Sequence, residues 1–247
     1  MTRDTLETIL LDREEGIATI TLNRPERMNA WNGRMMKDLI QAFDVTDADD
    51  AVKVVIVTGA GPKAFCAGAD LGAGGSTFDR DAQRARGEAA QQEEDYLRDG
   101  GGRFTLRLFD SLKPVIAACN GAAVGVGATM QLAMDIRLAS STARYGFVFN
   151  RRGITPEACS SWFLPRLVGV SQALEWCYTG RVFGAEEALA GRLIRSIHAP
   201  EDLMPAARAL AREMIDNTAP VSNALARHMM WKMLGADHPM EAHKVDS

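Results

Sequence analysis

Phe65-Cys66-Ala67-Gly68-Ala69-Asp70 and Asn120-Gly121-Ala122-Ala123-Val124-Gly125-Val126-Gly127 decide how this chain is read. Each follows a strongly apolar run, Val54-Val55-Ile56-Val57 and Pro114-Val115-Ile116-Ala117-Ala118. Both are rich in Gly and Ala. Small side chains let a ligand approach the backbone and leave N–H groups free to donate. Two such turns facing one point make an oxyanion hole, in which oriented donors matter more than side-chain functional groups.

Working outward, the pattern strand, strand, helix, strand runs from the N-terminus to residue 58 and restarts after residue 113. Residues 6–11 and 17–22 read as strands around the turn Glu14-Glu15-Gly16, with Ala18, Ile20 and Leu22 alternating with Thr19 and Thr21. Asn32 is placed to cap a helix over 33–45 that carries Met36, Leu39, Ile40 and Phe43 on one face. Strands are expected at 52–58, 114–119, 136–139, 144–147 and 193–197. Helices are expected from about 127 and over 157–167, 171–179, 185–190, 202–216 and 219–234. In the last of these Leu225, Met229, Met230 and Met233 recur at helical spacing and read as core or subunit interface.

Residues 72–103 differ from the rest. Gly72-Ala73-Gly74-Gly75 and Gly100-Gly101-Gly102 bracket a charged, Gln-rich stretch. It reads as a mobile segment with a helix near 79–98: a solvated surface helix, or a lid on glycine hinges.

The chain has 247 residues, 47% hydrophobic and 24% charged, with a formal net charge of −4. That composition suits a single α/β domain with a substantial core. Mild acidity argues against nucleic acid as a partner. No apolar run reaches the roughly 20 residues of a membrane span, and Met1-Thr2-Arg3-Asp4 has no secretory h-region. Cys66, Cys119, Cys159 and Cys177 are dispersed with no CxxC, which fits a reducing cytoplasm. His198, His228, His238 and His243 all lie in the last fifth, away from the Gly turns, so neither a His-based triad nor a His-ligated metal is expected.

Gly59-Ala60-Gly61 invites a dinucleotide-binding reading, but Pro62 follows at once and no third Gly stands at the required spacing. Glu157, in Gly153-Ile154-Thr155-Pro156-Glu157-Ala158-Cys159, is the carboxylate of most interest. With Thr155 as N-cap and Pro156 at the first helical position, Glu157 falls in a first turn. There it is either a carboxylate suited to the helix dipole or an acid/base group among Ile154, Trp162 and Phe163, its pKa raised by apolar surroundings. Asp70 is either a second catalytic candidate or a cap for the following segment. Arg27, in the loop Asn23–Ala30, is either a ligand-phosphate contact or an exposed Arg. Thr129 and Gln131 read as helix-packing residues.

Taken together these segments resemble the crotonase (enoyl-CoA hydratase/isomerase) superfamily. The matching pieces are 23–30, 54–71, 113–139 and 145–169, continued by Tyr178-Thr179-Gly180-Arg181 and 185–193. The resemblance implies an α/β spiral of repeated β-β-α units of the ClpP-like kind, with C-terminal helices that assemble trimers, often paired into hexamers. On that basis residues 1–200 form the spiral core with an acyl-CoA site, and 201–247 a helical oligomerisation region. The implied ligand is an acyl-CoA thioester, with coenzyme A entering as part of the substrate and no separate cofactor or metal. The implied oxyanion donors are the backbone N–H groups of Ala69 and Val126. Arg27, Met28, Ala67, Gly68, Asp70, Leu71 and Gly125 would border the substrate, and Phe149 and Trp162 would help to line its apolar part.

One departure decides the expected chemistry. Typical hydratases of the family carry two glutamates, and the matching places here are Thr129 and Phe149. Glu157 instead matches the single catalytic carboxylate of peroxisomal-type Δ3,Δ2-enoyl-CoA isomerases; chlorobenzoyl-CoA dehalogenases have a nucleophilic Asp there. The expectation is isomerisation of 3-enoyl-CoA to 2-enoyl-CoA. Hydration of 2-enoyl-CoA is the runner-up, and a non-catalytic acyl-CoA-binding homologue the third reading.

Overall fold

The computed structural model describes residues 2–72, 74, 81 and 98–247. The centre is a large sheet built from β1 (Thr2–Thr5), β2 (Ile9–Glu14), β3 (Ile17–Leu22), β4 (Val54–Gly59), β6 (Val115–Cys119), β8 (Ile136–Ser140) and β11 (Ser196–His198), in the order β1-β2-β3-β4-β6-β8-β11. Its first three strands are antiparallel and the others parallel. A second, smaller sheet holds β5 (Ala64–Cys66), β7 (Ala122–Val124), β9 (Arg144–Gly146) and β10 (Val182–Gly184), in the order β10-β9-β7-β5.

The two sheets grow together. Each of β4, β6 and β8 is followed within a few residues by a short strand of the small sheet, β5, β7 and β9. Each repeat therefore adds one strand to each sheet, which is the spiral of β-β-α units. The side chain of Asn120 ties successive repeats. Its amide donates to the carbonyls of Gly59 (3.0 Å) and Gly61 (2.7 Å), and its carbonyl accepts from the Gly59 N–H (3.1 Å). That occupies the 59–61 turn with internal bonds, consistent with the poor dinucleotide match.

The central strands are continuously apolar because they are covered on both faces. Val55, Val57, Val115 and Ala117 face the main core with Phe65, Leu39, Phe43 and Phe104. Val54, Ile56, Ile116 and Ala118 face away and pack against Leu203, Ala207, Leu210 and Ala211. Those four lie on one stripe of a helix over Leu203–Asp216. The helices are α1 (Gly33–Ala48), α2 (Gly100–Phe109), α3 (Val126–Thr129), α4 (Ser160–Val168), α5 (Val170–Thr179), α6 (Ala185–Ala190), α7 (Leu203–Asp216), α8 (Pro220–Met233) and α9 (Pro239–Asp246). Asn32 caps α1 as expected, its side chain accepting from the Met35 N–H at 2.8 Å.

Several expectations need correction. The helix expected from residue 157 starts at Ser160, because Ala158 and Cys159 both take left-handed backbone (φ 56° each) and spend an extra turn first. The strand expected at 193–197 is Ser196–His198. Leu193 and Ile194 are instead core residues of the preceding turn, and their N–H groups donate to the Ala188 carbonyl. The strand read at 6–11 runs over Ile9–Glu14. Strands β5, β7 and β10 escaped the sequence reading because three residues are too few to show an alternation. Of the two readings of the α8 stripe Leu225, Met229, Met230 and Met233, core of this chain falls, since Leu225 and Met230 are exposed and Met229 and Met233 half-buried; exposure leaves the subunit-interface reading standing. What holds α8 is Arg227, buried against Asp135 and the carbonyls of Leu108, Phe109 and Ser111. The helix read near 79–98 lies outside the described residues. Residues 100–103, assigned above to the same segment, open α2. Among the described residues no helix is long and apolar enough to cross a membrane, and no group of three or more His, Cys, Asp or Glu is gathered as for a metal ion.

Candidate active site

The two Gly/Ala turns meet where β5 and β7 end. Gly68 takes φ 105°, and a Cβ there would lie 3.0 Å from the Val124 carbonyl oxygen. Closer still, a Cβ on Gly127 would fall 1.9 Å from the Cys66 carbonyl oxygen, so only glycine lets α3 begin against the end of β5. Around Ala69 the backbone is bound on both sides. Trp31 N–H donates to the Gly68 carbonyl and Asp70 N–H to the Trp31 carbonyl, each at 2.8 Å. The Ala69 N–H between them has no acceptor among the described residues. Nor does the Val126 N–H, which opens α3 and is one of the donors a helix start leaves unpaired. Two backbone donors without an acceptor among the described residues thus lie on turns packed against each other.

Glu157 is half-buried as a residue, but its Oε1 is sealed from solvent and has no hydrogen-bond partner among the described residues. Its pKa is raised to about 8. Burial is the main cause. The Asp99 carboxyl adds to it, first as a partner for the Glu157 proton and then through its charge, while the Thr129 hydroxyl on α3 works against the shift. The carboxyl therefore lies between the head of α2 and α3, the helix that Val126 opens. Cys66, at the end of β5, also feels the Glu157 charge; burial above all pushes its thiol up to about 12.

Asp99 went unrecognised in the sequence, where it lay inside a stretch read as mobile. It caps α2: Oδ1 accepts from the Gly102 N–H (2.5 Å) and from the Ala158 N–H (3.3 Å). The glycines after it are a packing requirement rather than a hinge. A Cβ on Gly101 would stand 3.0 Å from Glu157 Oε2, 3.0 Å from the Ala158 Cβ and 3.1 Å from Asp99 Oδ1. The local signal was the Asp-Gly-Gly-Gly run itself, an N-cap residue before residues without side chains.

The remaining expected residues divide into two groups. Arg27 ends a short 3-10 turn over Pro25–Arg27 and is exposed, as are Met28 and Leu71 beside the first Gly turn. Met28 holds that turn, its carbonyl accepting from the Ala67 N–H at 3.1 Å. Asp70 is ion-paired to Arg24 at 2.7 Å and accepts from the Gly72 N–H. Burial raises its pKa, but the hydrogen bonds from Arg24 and the Gly72 N–H and the charges of Arg24 and Arg27 together outweigh this, and the net shift is downward. A carboxylate so held is a structural anion and a cap, not a base. Phe149 is buried in the main core, 5% exposed. Trp162 belongs to an aromatic cluster with Phe109, Phe163 and Trp231 of α8, with ring centroids 4.7 to 6.0 Å from its own. The raised pKa expected for Glu157 comes mainly from burial, as anticipated; of the apolar residues expected around it Ile154 is 38% exposed, and the polar groups acting on the carboxyl, Asp99 and Thr129, were not among those expected there.

Backbone donors on two packed glycine turns, with a carboxyl whose pKa burial raises to about 8, form the kind of site used for acyl-group chemistry through an oxyanion. Residues 12–244 match the enoyl-CoA hydratase/isomerase family. The chain is 38% identical to "Enoyl-CoA hydratase AKT3-2" of Alternaria alternata over 94% of its own length and 74% of that protein's. It is 34% identical to the 1,2-epoxyphenylacetyl-CoA isomerase of Escherichia coli over 85% and 76%. The solved structure of an enoyl-CoA hydratase from Bacillus anthracis superposes with a TM-score of 0.86 at 29% identity, covering 97% of this chain and 88% of that one. The protein belongs to the enoyl-CoA hydratase/isomerase family and has the crotonase fold.

Proposed function

We propose that the chain isomerises 3-enoyl-CoA to 2-enoyl-CoA, with Glu157 as its single acid/base. The observation that carries this reading is the Glu157 carboxyl itself, partly buried, one oxygen unpartnered among the described residues, its pKa raised to about 8. The thioester oxygen sits between the N–H groups of Ala69 and Val126. Glu157 takes a proton from C2, and the electron pair moves into the thioester to give a dienolate. The two donors stabilise that charge more than the ground-state carbonyl. Glu157 then returns the proton at C4, and the double bond ends between C2 and C3. A group that must both take and give a proton works best with a pKa near the working pH. Thr129 and Phe149, standing where typical hydratases carry glutamates, leave this exchange to one residue. Arg27, Met28 and Leu71, exposed beside the first Gly turn, are assigned to the coenzyme A moiety.

Hydration of 2-enoyl-CoA is the second reading, favoured by the presence of a second carboxyl, Asp99, beside Glu157 and by relatives named as hydratases. A paired assay separates the two. Purified protein is given 3-hexenoyl-CoA and 2-hexenoyl-CoA separately, and products are followed by mass and chromatography. Conversion of the 3-enoyl ester without mass change is the expected result. Rapid gain of one water by the 2-enoyl ester, without isomerisation, overturns the proposal. Binding of both esters with no turnover of either leaves an acyl-CoA-binding homologue.

A further inference from the structure

Glu157 is carried on an awkward piece of backbone. The two residues after it, Ala158 and Cys159, are both non-glycine and both left-handed, and Ala158 is fully buried. Such conformations are strained for non-glycine residues and persist only where the surroundings enforce them. What binds this turn from outside is Asp99: its Oδ1 accepts the Ala158 N–H while the same oxygen caps α2 through Gly102. The gap between the two carboxyls is kept narrow by Gly101, whose missing side chain leaves room for Glu157 Oε2 on one side and Asp99 Oδ1 on the other.

We propose that Asp99 is a positioning residue that acts through Glu157: one carboxylate anchors the turn carrying Glu157 and fixes a negative charge beside it. The inference rests on Glu157 being the acid/base, as proposed above, and adds the residue that sets when it is charged. A fixed anion at this place makes the ionised Glu157 a stronger base for C2 and favours its protonated state once the proton has been taken. The anchor also keeps the carboxyl from swinging toward solvent as its charge changes. The other groups acting in this region are the thiols of Cys66 and Cys159, both shifted upward by burial, and the Thr129 hydroxyl; among the described residues no cation contributes to the Glu157 shift.

A cap alone and a charged partner make different forecasts, because Asn and Ser are also good caps. Asp99→Asn keeps an oxygen for Gly102 and Ala158 and loses the charge; Asp99→Ser keeps a shorter cap. The measurement is the titration of Glu157 by carbon NMR of carboxyl-labelled glutamate, without substrate, its signal assigned by absence in Glu157→Gln. In parallel, the pH dependence of kcat is followed for isomerisation. Removing the like charge is expected to move both the Glu157 titration and the alkaline-rising limb of kcat down by about one pH unit in Asp99→Asn, with kcat reduced several-fold. Asp99→Ser gives the same direction should Asp99→Asn be poorly folded. An unchanged Glu157 titration in a folded variant overturns the inference and leaves Asp99 as a helix cap. If the wild type does not isomerise 3-enoyl-CoA, the reaction assignment fails, but the substrate-free titration still decides the role of Asp99.

Discussion

Asp135 accepts from Arg227 Nε on both oxygens at 3.0 Å, from the Val115 N–H at 2.8 Å and from the Trp231 indole at 3.4 Å. Glu157, also drawn in from solvent, has an oxygen with no partner among the described residues and an anion for a neighbour. The first carboxylate is satisfied. It pins α8 to the core, and Arg227 completes the arrangement by donating to the carbonyls of Leu108, Phe109 and Ser111. The second is kept short of partners, and the strained turn behind it is held from outside. A charge with all its bonds made serves stability, whereas one denied them is ready to exchange a proton.

Breaking the second site should show in catalysis. Glu157→Gln is expected to lower isomerisation by about 10²- to 10⁴-fold, read as kcat on 3-hexenoyl-CoA. Breaking the first should show in stability. Arg227→Ala leaves Asp135 partly buried without its cation, and denaturant unfolding is expected to register a loss of about 3–5 kcal/mol. Gly101→Ala pushes a methyl group against Glu157 Oε2 and the Ala158 Cβ, each 3.0 Å away. A displacement of that order is expected to reduce kcat on 3-hexenoyl-CoA by about 10- to 100-fold.

The sign of the pH effect sharpens the contrast. Glu157 goes from an ordinary value of 4.5 to about 8 on folding. Between those values the native state holds a proton the unfolded state has lost, so the stability associated with this group falls as pH rises through that window. Glu157→Gln removes the dependence, and its Tm is expected to rise relative to wild type as pH goes from 5 to 9. The smallest effect belongs to an exposed pair. Arg3–Asp12 joins the edge strand to its neighbour with the Arg side chain 54% exposed, and Arg3→Ala is expected to leave the midpoint of the same unfolding experiment almost unchanged.

Much of the fold was legible in the sequence because buried parallel strands and capped helices leave strong local patterns. Val54–Val57 and Val115–Ala118 are continuously apolar, and Asn32 caps α1 where expected. The Gly turns were legible for the same reason: only close backbone approach calls for so many missing side chains. The carboxyl side was half legible. Glu157 stood out through its position after Pro156, but its neighbours did not. Asp99 is 58 residues away in the chain, and nothing local marks that α2 brings it alongside. The left-handed pair Ala158–Cys159 left no glycine to announce it, so the start of α4 was read three residues early. Arg227 was hidden in the same way, a charged residue on an exposed helix whose partner lies 92 positions earlier.

The central claim is that one carboxyl carries the proton from C2 to C4. The direct measurement uses 3-hexenoyl-CoA with deuterium at C2 in ordinary water, with the C4 position of the 2-hexenoyl-CoA product analysed in a single turnover. Deuterium at C4 in wild-type product, with turnover lost in Glu157→Gln, is the predicted result. A C4 hydrogen drawn wholly from solvent, formed at an undiminished rate by Glu157→Gln, would contradict it.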